Sequence, residues 1–233
     1  MADRQEKRGK APVVVGAVVV AVLMAGCATY WFVLRDDAPP VAELGNECAI
    51  AGDTSSADGD WLIARGDDTF VAYRIPELFG GETIKKDAFG KTPAVEGSMT
   101  LSGDEVTSLQ VDADMTQLSS DQGRRDLYLA KNALQTEQFP AADFALKDPV
   151  ALPTTPVAGT TVGQTITGLL TLHGESRMVE VPVKACWGGD TITVTGTQPI
   201  DLADYGIEAP SVGGFVEVDD TGQLELSLTF VRS

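Results

Sequence analysis

The stretch TITGLLTLHGESRMVEVPVKAC, residues 165–186, decides the fold. Ile166, Gly168, Leu170 and Leu172 recur at every second residue, and Val179, Val181 and Val183 do the same after a break. Strict alternation of this kind marks a half-buried strand, because successive side chains of a strand point to opposite faces. His173-Gly174-Glu175 lies between the runs and reads as a turn. The segment is therefore expected to be an antiparallel hairpin with one apolar face on each strand.

Working outward, the same period returns. Phe70, Ala72 and Arg74 oppose Val71, Tyr73 and Ile75, and Val95, Gly97, Met99 and Leu101 form the next run. Leu109 and Val111 mark a strand over 106–114, and further strands fit 143–147, 191–195 and 223–230, with Trp61 opening the series. One segment breaks the pattern. Ser119-Ser120-Asp121 precedes residues 122–134, where Leu127, Ala130 and Leu134 share helical spacing, so a short amphipathic helix with a Ser or Asp cap is expected there. Phe139-Pro140 ends it, and a Pro-rich loop runs from Pro149 to Pro156. Eight to ten short antiparallel strands with one inserted helix suggest a barrel or a sandwich.

The N-terminal part has a different character. Residues 11–34 form an uncharged run rich in Val and Ala, with Tyr30, Trp31 and Phe32 near its end. About 20 apolar residues span the hydrocarbon core as a helix, so one transmembrane helix is expected at 11–34. Arg4, Lys7, Arg8 and Lys10 precede it, whereas Asp36, Asp37, Glu43 and Glu47 follow Arg35. The positive-inside bias then places residues 1–10 in the cytoplasm and everything after Leu34 outside a bacterial cell membrane. Residues 35–60, with Pro39-Pro40 and several acidic groups, read as an extracytoplasmic linker to a domain at 61–233. Met24-Ala25-Gly26-Cys27 also resembles a bacterial lipoprotein signal, which would lipidate Cys27. An uncut anchor fits the continued apolar stretch to Leu34 better. In an oxidising compartment Cys48 and Cys186, the two cysteines outside the apolar run, are expected to form one disulfide.

Composition excludes several functions. The chain carries 17 Lys+Arg against 34 Asp+Glu, a net charge of −17, which is incompatible with nucleic-acid binding through phosphate counterion release. A single His rules out metal sites needing two imidazoles. His173, Glu175 and Ser176 sit too close along a turn to converge as a triad. Asp53, Asp58 and Asp60 lack calcium-loop spacing and read as solvated linker groups. No cofactor, metal or catalytic set is expected.

A set of motifs occurs in a particular order: Trp61, the Gly97 strand, Arg125-Asp126 with Leu129, Phe139-Pro140-Ala141-Ala142-Asp143-Phe144, Gly168 to Gly174 with Arg177, and Tyr205-Gly206-Ile207. In this order, over about residues 60–231, the chain resembles the YceI-like family of bacterial envelope proteins. It departs from the family by its apolar N-terminal run, its Cys pair and Glu175-Ser176 before Arg177. The resemblance implies an all-β, lipocalin-like antiparallel barrel with an apolar lumen that holds a polyisoprenoid or other long-chain lipid. It implies a non-enzymatic role, with a homodimer among the expectations since some relatives dimerise. An interaction or stress-protection module of the cell envelope, its barrel filled by its own side chains, is the alternative. Alternation nominates Tyr73, Ile75, Met99, Leu109, Val111, Phe144, Ile166, Leu170 and Leu172 as lumenal ligand contacts, and Arg125 at the helix start as a grip for an anionic head group.

Overall fold

A computed structural model describes residues 38–212 and 216–233. Among them, fourteen strands form one antiparallel sheet that closes on itself. They are β1 (Gly59–Ile63), β2 (Phe70–Phe79), β3 (Lys86–Thr92), β4 (Val95–Ser102), β5 (Glu105–Asp114), β6 (Ser119–Ser120) and β7 (Ala141–Leu146). The series continues with β8 (Val150–Ala151), β9 (Thr161–Leu172), β10 (Glu175–Trp187), β11 (Thr191–Asp201), β12 (Ser211–Val212), β13 (Val216–Val218) and β14 (Thr221–Arg232). The circuit β1-β4-β5-β7-β9-β10-β11-β14 is completed by pairing of β14 with β1, Trp61 opposite Arg232 and Ile63 opposite Phe230. β2 prolongs the line of β1 along β14, and β3 prolongs the line of β4 along β2. The result is an eight-stave barrel in which each stave pairs with its neighbour in sequence.

The deciding hairpin is present over its full length, with Leu172 opposite Glu175 and Thr161 opposite Cys186. Its turn is tighter than expected: two residues, His173 and Gly174, both at positive φ (53° and 79°). Two-residue loops of this kind follow the right-handed twist of the strands. A Cβ on Gly174 would in addition meet the Phe139 ring at 2.7 Å.

Other elements differ from the sequence reading. Strand β3 was not expected; its inward positions Ala88, Gly90 and Thr92 are too small to give a hydropathy signal. The helix is shorter, an α-helix α1 (Gly123–Tyr128) running into a wider π turn, Leu129–Ala133. The π turn moves the apolar face: Ala133 is buried, Leu129 and Leu134 pack beside it, and Leu127 is 74 % exposed. The expected side-chain cap is also absent: Gln122 at the cap position makes no such bond, and the Ser120 hydroxyl accepts from the Gln122 N–H at 3.2 Å.

Residues 38–58 are a strap fastened to the barrel wall and belong to the same compact unit, rather than a spacer. Arg74 Nη2 donates to the Pro39 carbonyl at 2.6 Å, Thr161 Oγ1 to that of Gly45 at 2.7 Å, and the Ala51 N–H to that of Gly188 at 2.7 Å. Cys48 and Cys186 form the expected disulfide, joining strap to β10. Among the described residues no helix is long and apolar enough to cross a membrane. The expected transmembrane helix at 11–34 lies outside them.

The bridge closes a loop with a sequence separation of 138, which restricts the unfolded chain strongly. The paired variant Cys48→Ser, Cys186→Ser should therefore lose about 2–5 kcal/mol of stability. Urea denaturation of the two proteins checks this, and reductant should lower the midpoint of the native chain only.

Candidate functional site: the barrel lumen

The interior is built by alternation. Along β14, Leu224, Leu226, Leu228 and Phe230 face inward, along β10 Val181, Val183, Ala185 and Trp187, and along β5 Leu109, Val111 and Ala113. Two buried clusters result. One gathers Trp61, Met99, Leu101, Trp187, Leu228 and Phe230 at the disulfide end. The other gathers Ala133, Leu172, Ile200, Leu202, Tyr205 and Ile207 at the end carrying the His173 turn. A cavity of about 200 Å³ runs along the lumen, bordered by members of both clusters. Pro156 and Val157 line it as well, and Val157 is 60 % exposed, so the cavity reaches the surface beside the Pro-rich loop.

Eight of the ten nominated residues line this cavity: Tyr73, Met99, Leu109, Val111, Phe144, Ile166, Leu170 and Leu172. Ile75 does not. It packs beside the second cluster, its Cγ1 over Gly222, where any Cβ would come within 2.5 Å. The same kind of close approach makes room for two lining rings, Tyr73 over Gly90 and Phe144 over Gly168. Trp187, Ile192 and Leu226 also line the cavity and were not nominated, although alternation on their strands would have found them.

Arg125 is placed differently from the expectation. Its guanidinium is not part of the cavity lining; Nη2 donates to Glu77 Oε1 at 2.8 Å and Nη1 to Asp121 Oδ1 at 2.6 Å. Glu77 is 4 % exposed, and burying a carboxylate requires a paired cation. Arg125 is therefore held by acidic side chains of its own protein and is not a free grip for an anion. Asp126 is occupied too, accepting from the N–H and hydroxyl of Ser120 at 3.0 and 2.6 Å.

The remaining motif residues close the same end. His173 Nδ1 lies 3.0 Å from the Tyr205 carbonyl; a carbonyl can only accept, so Nδ1 carries the proton. Arg177 Nε donates to the Asp204 carbonyl at 2.9 Å. The pair thus staples the turn Leu202–Tyr205, and with it Ile207, over the barrel end. Ser176 Oγ bonds Thr171 Oγ1 at 2.9 Å, away from the His173 ring, which packs edge-on against Phe139. In the strap and β1, Asp53 accepts from Ser55, Asp58 from the Gly103 N–H and Asp60 from Thr100.

Among the described residues, the Tyr73 hydroxyl and Gln198 Oε1 are buried polar atoms of the lining that make no hydrogen bond of good geometry. Burial, offset in part by Arg125 and by the Ser120 hydroxyl beside it and reinforced by Asp126 and Glu77, pushes the Tyr73 phenol up to about 12.

Comparison with known proteins agrees with this architecture. A family model described as the YceI-like domain matches residues 68–230. A protein of Pseudomonas syringae pv. tomato described as "UPF0312 protein" is 26% identical over 197 residues, spanning 80% of this chain and 92% of that one. Among solved structures, a polyisoprenoid binding domain from Saccharophagus degradans superposes with a TM-score of 0.57 at 14% identity, covering 75% of this chain and 98% of that one. BcnA of Burkholderia cenocepacia gives 0.50 at 19% identity, covering 67% and 95%. At these identities the two structures establish a shared fold.

The buried network and the phenol generate two expectations. Arg125→Ala, which removes two short ion pairs from a mostly buried site, should destabilise the fold by about 3 kcal/mol in chemical denaturation. The Tyr73 pKa is raised above its unfolded value near 10, so its stabilising contribution is intact below about pH 10 and is lost as pH rises through about 12. Ultraviolet titration should show a late tyrosinate phase near pH 12 that Tyr73→Phe abolishes.

Proposed function

This chain belongs to the YceI-like domain family, and from that premise we propose that it is a non-enzymatic lipid-binding protein of the bacterial cell envelope. Its barrel holds a polyisoprenoid-like or other long-chain lipid, and residues 11–34 tether it to the cell membrane with the barrel outside. The observation that carries this reading is a lumen walled almost wholly by aliphatic and aromatic side chains that nevertheless keeps an open cavity of about 200 Å³. Apolar lumenal space binds hydrocarbon at about 0.8 kcal/mol per buried CH₂, without requiring a charged anchor. The volume lies below the roughly 300–1,000 Å³ of pockets for drug-sized ligands, which favours a slender chain over a bulky ring system. The polyisoprenoid binding domain of Saccharophagus degradans shares the fold, which supports an isoprenoid as the class of guest. The uncharged run at 11–34 and the basic residues before it support the tether.

The full chain, purified from its native membranes, should release a near-stoichiometric long-chain lipid on organic extraction, read by mass spectrometry. Ile166→Trp and Val111→Trp, each filling the lumen from a lining position, should fold and lose that lipid. A protein that extracts empty would instead favour a self-filled interaction module. Intact mass on the same material checks the tether, since loss of residues 1–26 with lipid on Cys27 would replace the helix by an acyl anchor.

A further inference from the structure

The helical segment after β6 carries a face that neither the lumen nor the barrel end uses. On its inner side Leu129, Ala133 and Leu134 pack with the cluster that contains Leu172 and Tyr205. On its outer side Arg124, Leu127, Tyr128 and Lys131 are all exposed. Their spacing, i, i+3, i+4 and i+7, makes one stripe along a helix. The wider π turn hands the inner face to Leu129 and Ala133 and leaves Leu127 74 % exposed. A further exposed apolar residue lies on a neighbouring turn. Arg125 of α1 bonds Glu77 of β2, and Glu77 pairs across the sheet with Lys86 of β3. Ile84, two residues before Lys86 between β2 and β3, is 76 % exposed. Single apolar residues at a surface are ordinary. Ile84 and Leu127, however, are the two most exposed large hydrophobics among the described residues, and each lies within a few residues of the pairs that Glu77 makes with Arg125 and Lys86.

The charges on this face point to its partner. Acidic groups outnumber basic ones 34 to 17 in the chain, yet Arg124 and Lys131 enter no ion pair among the described residues. The nearest acids in sequence are already engaged, Asp121 by Arg125 and Asp126 by Ser120. Two cations flanking a Leu and a Tyr form the pattern of a segment that lies in a bilayer interface. The apolar side chains enter the headgroup region, the tyrosine ring sits at its level, and the long basic side chains reach up to the lipid phosphates. Anionic lipid attracts such cations and repels the acidic remainder of the surface, so this face is the favoured approach. Repulsion from acids on the far wall is screened beyond about 8 Å at physiological salt.

We propose that the outer face of α1, formed by Arg124, Leu127, Tyr128 and Lys131 with Ile84 nearby, is a docking surface for an anionic phospholipid bilayer. The proposal goes beyond the lipid-binding reading and depends on neither the lumenal guest nor the tether. The membrane acts here as a surface that orients the barrel.

The test places the full chain in nanodiscs of phosphatidylcholine alone and of an equal mixture with phosphatidylglycerol. Hydrogen–deuterium exchange is followed over residues 123–135, with the hairpin at 165–186 as internal reference. Residues 123–135 should exchange at least about fivefold more slowly in the anionic discs, the gain expected from a single cation near such a surface, while the hairpin is unchanged. The paired variant Arg124→Glu, Lys131→Glu and the single variant Leu127→Gln alter exposed positions. Both should keep the native thermal melt and lose the added protection. Equal protection in the two kinds of disc, or protection retained in both variants, would overturn the proposal. Protection that rises with the number of chains per disc would assign the face to a second copy and overturn it as well. If residues 11–34 fail to insert, the tether reading falls, and the same exchange measurement on the chain added to vesicles of the two compositions decides the docking surface. Should one variant fail to fold, the other carries the comparison.

Discussion

Closure of the sheet is the constraint on which the rest depends. A strand at the edge of a sheet leaves a row of backbone N–H and C=O groups unpaired, and only a closed barrel removes that edge altogether. Here closure is made by the short pairing of β1 with β14. Trp61, fully buried, sits in that seam with its indole N–H donating to the Ala57 carbonyl at 3.0 Å, and Phe230 beside it is 1 % exposed. Once the seam holds, alternation along each stave sends one set of side chains into a shared interior. The lumen is thus a consequence of backbone pairing, and its apolar character follows from which parity of each strand carries aliphatic residues.

The ends of the tube obey different rules. At the His173 end the motif residues shape a stopper, because the imidazole and Arg177 both hold carbonyls of the Leu202–Tyr205 turn. At the other end the strap and the disulfide brace the wall where β10 ends. The network of Arg125, Glu77, Asp121, Asp126 and Ser120 braces the helix against β2. Of the residues that made the chain resemble its relatives, Arg125, His173, Arg177 and Tyr205 therefore brace the barrel end and its helix, whereas Phe144, Leu170 and Leu172 line the lumen.

This division explains what the sequence could and could not reveal. The hairpin at 165–186 was legible because its alternation is long and its inward residues are large. The same reasoning placed Tyr73, Met99, Leu109, Val111, Phe144, Ile166, Leu170 and Leu172 on the inward parity of their strands. Strand β3 escaped because Ala88 and Gly90 mark the inward parity by smallness, Gly90 making way for the Tyr73 ring. The strap escaped because its hydrogen bonds run through backbone carbonyls, which no periodicity encodes. Arg125 read as a grip for an anionic head group because the sequence shows its charge and not what neutralises it. Its partner Glu77 lies 48 residues away, a distance that local pattern cannot bridge.

The Cys48–Cys186 bond lies upstream of the seam strand β1 and lands on β10, on another part of the wall. Tension pulling the chain from its N-terminal side would peel the strap as far as Cys48 and then pass through the covalent bridge into the middle of the sheet. The β1–β14 seam would carry none of that load. The barrel is thereby mechanically insulated: it can be tugged without being unzipped.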